Sequence, residues 1–251
     1  MDIKIFVEDL DIPAGETRRL NCPVCRSYKT FTATNNMGSL LWNCYKASCS
    51  VGGTARVKLT LNDLRNMNKS NSVTEPFVLP EYVVSRDSDV SEWASELYGL
   101  NAEELGLLYD VKDHRVVFPI VHDNKIVDAA GRAMGKKLPK WKRYGNNSLP
   151  YVSGSGTVAV VVEDCVSAAV VGGYGSFVGV ALLGTSLSEA HKGYLTQFST
   201  AIMALDPDAL PKTLQFAKEL RGYVNDVKVL RLHDDIKYRT RQDVDKLLAF
   251  R

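Results

Sequence analysis

The chain has 251 residues, 45% of them apolar and 24% charged, the balance of a globular protein of one large domain or two to three small ones. Its net charge of +2 supplies no global attraction to nucleic acid, so any basic surface has to be local. No run of 18 clean apolar residues occurs, and the acidic start MDIKIFVEDLD lacks a secretion-signal core, so a cytoplasmic protein without membrane attachment is expected.

Four of the five cysteines fall in residues 22–49: Cys22 and Cys25, then 18 residues, then Cys44 and Cys49. Without a secretion signal, zinc is a better reading of this spacing than disulfides. Four thiolates make a closed tetrahedral structural site. The 18-residue insert reads as a β-hairpin turning around Asn35–Gly38. Residues 1–60 are therefore expected to form a β zinc ribbon that is too small to be stable without its metal. Its aromatics Tyr28, Phe31, Trp42 and Tyr45 either stack on bases or form the ribbon's own core, and the core reading is preferred. Cys165 sits in an apolar run and reads as core.

Residues 61–80 are polar, end in prolines and read as a linker. Over 89–109, Val90, Trp93 and Leu97 mark the buried face of a helix, and Asn101-Ala-Glu-Glu marks the start of another. HRVVFPIVHDNKIVDAAGRA reads as two strands joined at Asp123-Asn124. Six of the twelve residues 132–143 are basic (Arg132, Lys136, Lys137, Lys140, Lys142 and Arg143), with Trp141 and Tyr144 interleaved. That combination suits single-stranded nucleic acid or nucleotide phosphates, and the alternative is a solvated basic loop. Residues 81–155 are taken as a small mixed basic subdomain.

From Thr157, apolar strands and helices alternate four times, so 156–251 is expected to be a mostly parallel sheet covered by helices. Ser186 or Ser188 caps the second helix. The first strand closes at Glu163 and the third at Asp206, with Asp208 two residues on. Residues i and i+2 of an extended segment share a face, and open α/β sheets place ligands beyond the carboxyl ends of their strands. Carboxylates at that edge suit Mg²⁺; alternatively Asp206-Pro207 is a turn and Asp208 caps a helix beginning near Pro211. Asp234-Asp235, after the fourth strand, stands where it can add to the acids. His191 and His233 read as helix-surface or loop histidines rather than catalytic ones.

Glu163 followed by D-x-D resembles the Toprim fold, and the Gly184-Thr185-Ser186 turn is similar to the segment that Toprim primases carry between the two acidic motifs. RVVFPI (115–120), AGR (130–132) and PKWKRY (139–144) resemble the basic motifs of the polymerase domain in bacterial and phage DnaG-type DNA primases. With the four-cysteine ribbon in front, the resemblance runs over nearly the whole chain in the family's order. It implies Mg²⁺ or Mn²⁺ bound by Glu163, Asp206 and Asp208. It also implies template and nucleotides held by Arg115, Arg132, Lys140, Trp141, Lys142 and Arg143, and a ribbon that helps recognise template. The implied reaction is template-directed joining of ribonucleoside triphosphates into short RNA primers on single-stranded DNA. The sequence departs from the family at Glu163-Asp164, where the family has Glu-Gly, and at Ser167, where it has Asp. No fused helicase motor or docking domain is recognised, so a separately encoded replicative helicase is the implied partner. The competing assignments are a Toprim nuclease and a non-enzymatic zinc-ribbon/Toprim recombination mediator.

Overall fold

The computed structural model describes residues 2–13, 16–36, 39–46, 48–57, 77–85, 88–184 and 186–250, without the Asn36 side chain. The expected linker up to residue 76, the tip of the first hairpin and Thr185 lie outside the described residues. The chain divides into two compact units, Met1–Glu75 and Pro76–Arg251.

The first unit is a four-stranded antiparallel sheet in the order β1 (Thr17–Leu20), β2 (Phe31–Asn36), β3 (Ser39–Cys44), β4 (Gly52–Arg56). A short helix, α1 (Ile3–Glu8), precedes it, a correction to the all-β expectation for this region. Asp2 starts that helix by accepting the Lys4 N–H, and Val7 on its inner face is fully buried with Phe31, Leu40 and Trp42. The preference for an aromatic core holds for Phe31 and Trp42. Tyr28 and Tyr45 are instead 74% and 57% exposed, because both lie outside the strands.

The second unit holds two five-stranded sheets. One is an antiparallel meander of β5 (Val83–Ser85), β6 (Leu108–Asp110), β7 (Arg115–His122), β8 (Lys125–Ala133) and β9 (Trp141–Arg143). Asp123 and Asn124 join β7 to β8 with both φ angles near +55°, at +50° and +58°, as a two-residue hairpin requires. Helix α2 (Ser88–Tyr98) packs Val90, Trp93, Ala94 and Tyr98 into the core. Leu97, expected on that face, is 58% exposed, because the buried stripe passes through Ala94 and Tyr98. Asn101 does cap the Glu103 and Glu104 N–H groups, but the expected second helix is only a turn, which closes at Gly106 with φ +59°.

The other sheet has the order β10 (Tyr151–Ser153), β12 (Phe177–Ala181), β11 (Val158–Val162), β13 (Thr200–Met203), β14 (Asp226–Val229). Only β10 runs antiparallel, and this edge strand lies upstream of residue 156. Helices α3 (Cys165–Gly172), α4 (Glu189–Leu195), α5 (Leu210–Leu220) and α6 (Arg241–Leu248) fill the crossovers and the end. Val160, Val162, Ile202 and the inner face of α3 share one core with Val116, Phe118 and Ile120 of the meander. Ala159, Val161 and Met203 face the opposite core, with Phe216 and Leu220 of α5. Both faces of β11 and β13 are thus covered, which is why their sequences are unbroken apolar runs.

Candidate active site

In the first unit, the four cysteines come from the loop before the hairpin, the end of its second strand and the loop that follows. The chain turns tightly at Cys22–Arg26, where Arg26 N–H donates to the Cys22 carbonyl with Arg26 at φ +55°. Cys44 ends β3, and Cys49 lies in the following loop. All four Sγ atoms lie within 4.8 Å of one another, with Cys22–Cys49 at 3.9 Å and Cys25–Cys44 at 3.8 Å. A tetrahedron with Zn–S bonds of 2.3 Å has edges of about 3.8 Å, so the sulfur set fits zinc. Hydrogen bonding to Ser27 brings the Cys25 thiol down to about 6 and the Thr30 hydroxyl lowers Cys44, which favours these two thiolates, whereas, against the Val51 backbone hydrogen bond, burial and the neighbouring cysteines push Cys49 up to about 11.

In the second unit, β11 and β13 are parallel neighbours in register, with Val161 opposite Met203. Their carboxyl ends deliver Glu163 and Asp206 to one edge, followed by Asp208 in a single 3-10 turn, Pro207–Ala209. The turn at Asp206-Pro207 forms as the alternative reading required. Asp208 does not cap α5, whose N-cap residue is Ala209 and has no side-chain capping hydrogen bond. Burial pushes the Glu163 carboxyl up, and the Asp206 and Asp208 charges add to this against Lys212. Asp206 is likewise raised, first by burial and then by Asp164 and Asp208, with Lys237 and Lys140 opposing. Among the described residues these three carboxylates have no ion-pair partner, and they are not drawn into a tight cluster as the cysteines are. Three like charges hold apart unless a cation lies between them. An all-oxygen set of this kind suits a hard divalent cation.

A cavity of about 390 Å³ opens between this acidic edge and the meander. Glu163, Asp164, Asp206 and Lys237 line one side, and Lys140 and Trp141 line the other. The basic run is brought there by β8 and β9, which pair Arg132 with Trp141 and stack the guanidinium 5.3 Å from the indole ring. Most of its charge is already matched. Arg132 lies 3.9 Å from Asp164, Lys137 2.8 Å and Lys142 2.6 Å from Asp113, and Arg143 2.5 Å from Asp128. Lys137 and Lys142 in turn hold the Asp113 carboxyl well below its usual range. Among the described residues of the run, Lys136 and Lys140 have no ion-pair partner. Lys140 is exposed at the cavity rim, and its pKa is lowered first by the Arg132 charge.

Arg115, expected in the basic groove, is 1% exposed. Its guanidinium reaches the Gly131 and Lys140 carbonyls from beneath, so it supports the strand and loop that carry Lys140 rather than facing the cavity. His191 is also corrected, since it is 5% exposed rather than on the helix surface. Its Nδ1 bonds to Ser188, which caps α4. His233 is a loop residue 3.2 Å from Asp243, as expected. Cys165 is fully buried core.

Lys237 went unread in the sequence, and Asp164 and Asp235 were noted there without their partners. Asp164 caps α3 through the Ser167 N–H, Asp235 accepts from the Ser167 hydroxyl, and the buried Lys237 ammonium pairs with both carboxylates. The signal was present at the departures already noted, Glu163-Asp164 and Ser167, each of which now has a charged or polar partner 68 or more residues away in sequence. Asp234 turns to the backbone N–H of Asp235.

No protein-family model matches the chain, and no curated protein matches it in sequence. Solved structures do. The zinc-binding and RNA polymerase domains of the Aquifex aeolicus primase match with a TM-score of 0.50 at 16% identity, covering 98% of this chain and 82% of that one. The primase fragment of the bacteriophage T7 primase-helicase protein matches with a TM-score of 0.49 at 16% identity, covering 92% and 97%. A DnaG primase catalytic domain bound to single-stranded DNA matches with a TM-score of 0.47 at 18% identity, covering 63% of this chain and 66% of that one, just under two thirds of its length. The first of these likenesses shows the fold: a mixed α/β chain with the architecture of primase zinc-binding and RNA polymerase domains.

Proposed function

We propose that this protein is a DNA primase, which joins ribonucleoside triphosphates into short RNA primers on a single-stranded DNA template. The observation that carries this reading is the cavity in which the acidic ends of β11 and β13 face the basic β8–β9 edge. The fold likeness to primase zinc-binding and RNA polymerase domains supports it. In this reading Glu163, Asp206 and Asp208 hold Mg²⁺ or Mn²⁺, which when bound neutralises triphosphate charge and favours attack by the primer 3′-oxygen. Lys140, free of a carboxylate partner, meets the phosphates of template or nucleotide. Arg132 fixes the Trp141 ring at the cavity wall, where it offers a stacking face to a base. Lys142 and Arg143, tied to Asp113 and Asp128, shape the strand and add field rather than free charge. Arg115 acts from below by holding the Lys140 and Gly131 backbone.

The cysteine cluster takes structural zinc and helps recognise template, and a separately encoded helicase supplies unwound DNA. A replication enzyme of phage type, working in the cytoplasm of its host cell, is the setting this implies. Incubation with single-stranded DNA, Mg²⁺ and labelled ribonucleotides tests the proposal. Short RNA products are expected. Cleavage of the DNA without ribonucleotide incorporation would assign the same acidic edge to a nuclease. Binding without either reaction, also when a replicative helicase is supplied, would leave a DNA-binding accessory protein.

A further inference from the structure

Lys237 is an ammonium among acids. Its side chain is 3% exposed, yet it lines the cavity. Nζ lies 3.1 Å from Asp164 Oδ2 and also pairs with Asp235 Oδ2. The remaining oxygens are bound too. Asp164 Oδ1 accepts the Ser167 N–H at 2.9 Å, and Asp235 Oδ1 accepts the Ser167 hydroxyl at 2.9 Å and the Lys237 N–H at 3.2 Å. Arg132 Nη1, 3.9 Å away, adds a second positive charge on the Asp164 side. Two carboxylates that share one ammonium are close enough to share a metal ion. A buried lysine persists only where its charge is matched in this way. Glu163, Asp206 and Asp208 differ in having no such partner among the described residues.

We propose that Lys237 is a built-in cation that withdraws Asp164 and Asp235 from metal binding, so that this active site takes one divalent ion where its five acids would otherwise hold two. The ammonium stands where a second ion would sit, fixed by the fold and independent of metal concentration. The inference rests on the reading of Glu163, Asp206 and Asp208 as the metal-binding set.

The test is a count of Mn²⁺ bound by the zinc-loaded 251-residue chain, followed by the loss of the free-ion electron paramagnetic resonance signal. Thiolate-bound zinc resists exchange by Mn²⁺, so the cysteine site stays silent. One Mn²⁺ per chain is expected for the wild type and two for Lys237→Gln. The single wild-type ion is expected to vanish in Asp206→Asn, Asp208→Asn. Two ions on the wild type, or one on a folded Lys237→Gln, would overturn the inference and leave the metal site itself standing. No ion on the wild type would instead remove the metal reading on which the inference depends. Should Lys237→Gln be unfolded in buffer alone, Mn²⁺ is expected to restore its circular dichroism by replacing the missing charge. A variant that stays unfolded with Mn²⁺ would also overturn the proposal.

Discussion

Gly179 shows how closely single residues are fitted here. A Cβ at this position would lie 2.0 Å from the Ala168 carbonyl oxygen, so β12 and α3 touch backbone to backbone. Gly179→Ala is expected to lower the stability of the second unit by about 1–3 kcal/mol or more, read from urea unfolding. His191 makes a pH-dependent contribution. Burial, reinforced by the Arg143 charge, lowers its pKa from 6.5 to about 4. Between those values the unfolded chain binds a proton that the folded chain does not. The neutral ring's contribution is therefore complete above pH 6.5 and is lost as pH falls towards 4, an effect of roughly 3 kcal/mol at most. Melting temperatures from pH 7.5 to 4 are expected to fall more steeply for the wild type than for His191→Gln; parallel curves would contradict this. The acids at Glu163, Asp206 and Asp208 were legible because each follows an apolar strand. Which basic side chains stay free was not, since Asp113 and Asp128 reach Lys142 and Arg143 only through the folding of the meander. Arg115 was misread for a related reason. Its place in the groove was implied by the resemblance of RVVFPI to a basic motif, and nothing local announces the two carbonyls it reaches.

At the scale of elements, period carried the most information. Continuous apolar runs identified β11, β12 and β13, and the Asp123-Asn124 turn identified the β7–β8 hairpin. Helix α2 was placed, but its buried face was displaced by one residue, because Tyr98 packs edge-on to Trp93 at 5.0 Å and takes the place expected of Leu97. Short elements escaped: α1 spans 6 residues, too few for a periodic signal. The core of the first unit consists of a few side chains around Phe31 and Trp42, so its stability is expected to depend on the zinc that the four cysteines fit. Chelation of zinc is expected to unfold the first unit and leave the second folded, since the latter has its own two cores. Limited proteolysis with circular dichroism reads this out: a protease-resistant fragment beginning near residue 76 should survive. Loss of both units together would contradict it.

For the whole molecule, the order of motifs was more telling than any one of them. The cysteine pairs, the basic hairpin and the acidic strand ends follow one another along a chain whose fold matches the Aquifex aeolicus primase zinc-binding and RNA polymerase domains over 98% of its length, at 16% identity. The fold organises this order physically. A parallel sheet brings the ends of β11 and β13 together, and the core shared with the meander sets the β8–β9 edge opposite them across the cavity. The Asp164–Lys237–Asp235 network could not be read in advance, because its members are joined only once α3 and the segment before α6 have packed. The proposed primase activity requires that this cavity polymerise ribonucleotides through its acidic edge. The most direct measurement is primer synthesis on single-stranded DNA by the wild type beside Asp206→Asn, Asp208→Asn, with equal circular dichroism as the control for folding. Short RNA products are expected from the wild type, with at least a 100-fold loss, about 3 kcal/mol in the barrier, in the double variant. Equal RNA synthesis by the two proteins would contradict that requirement.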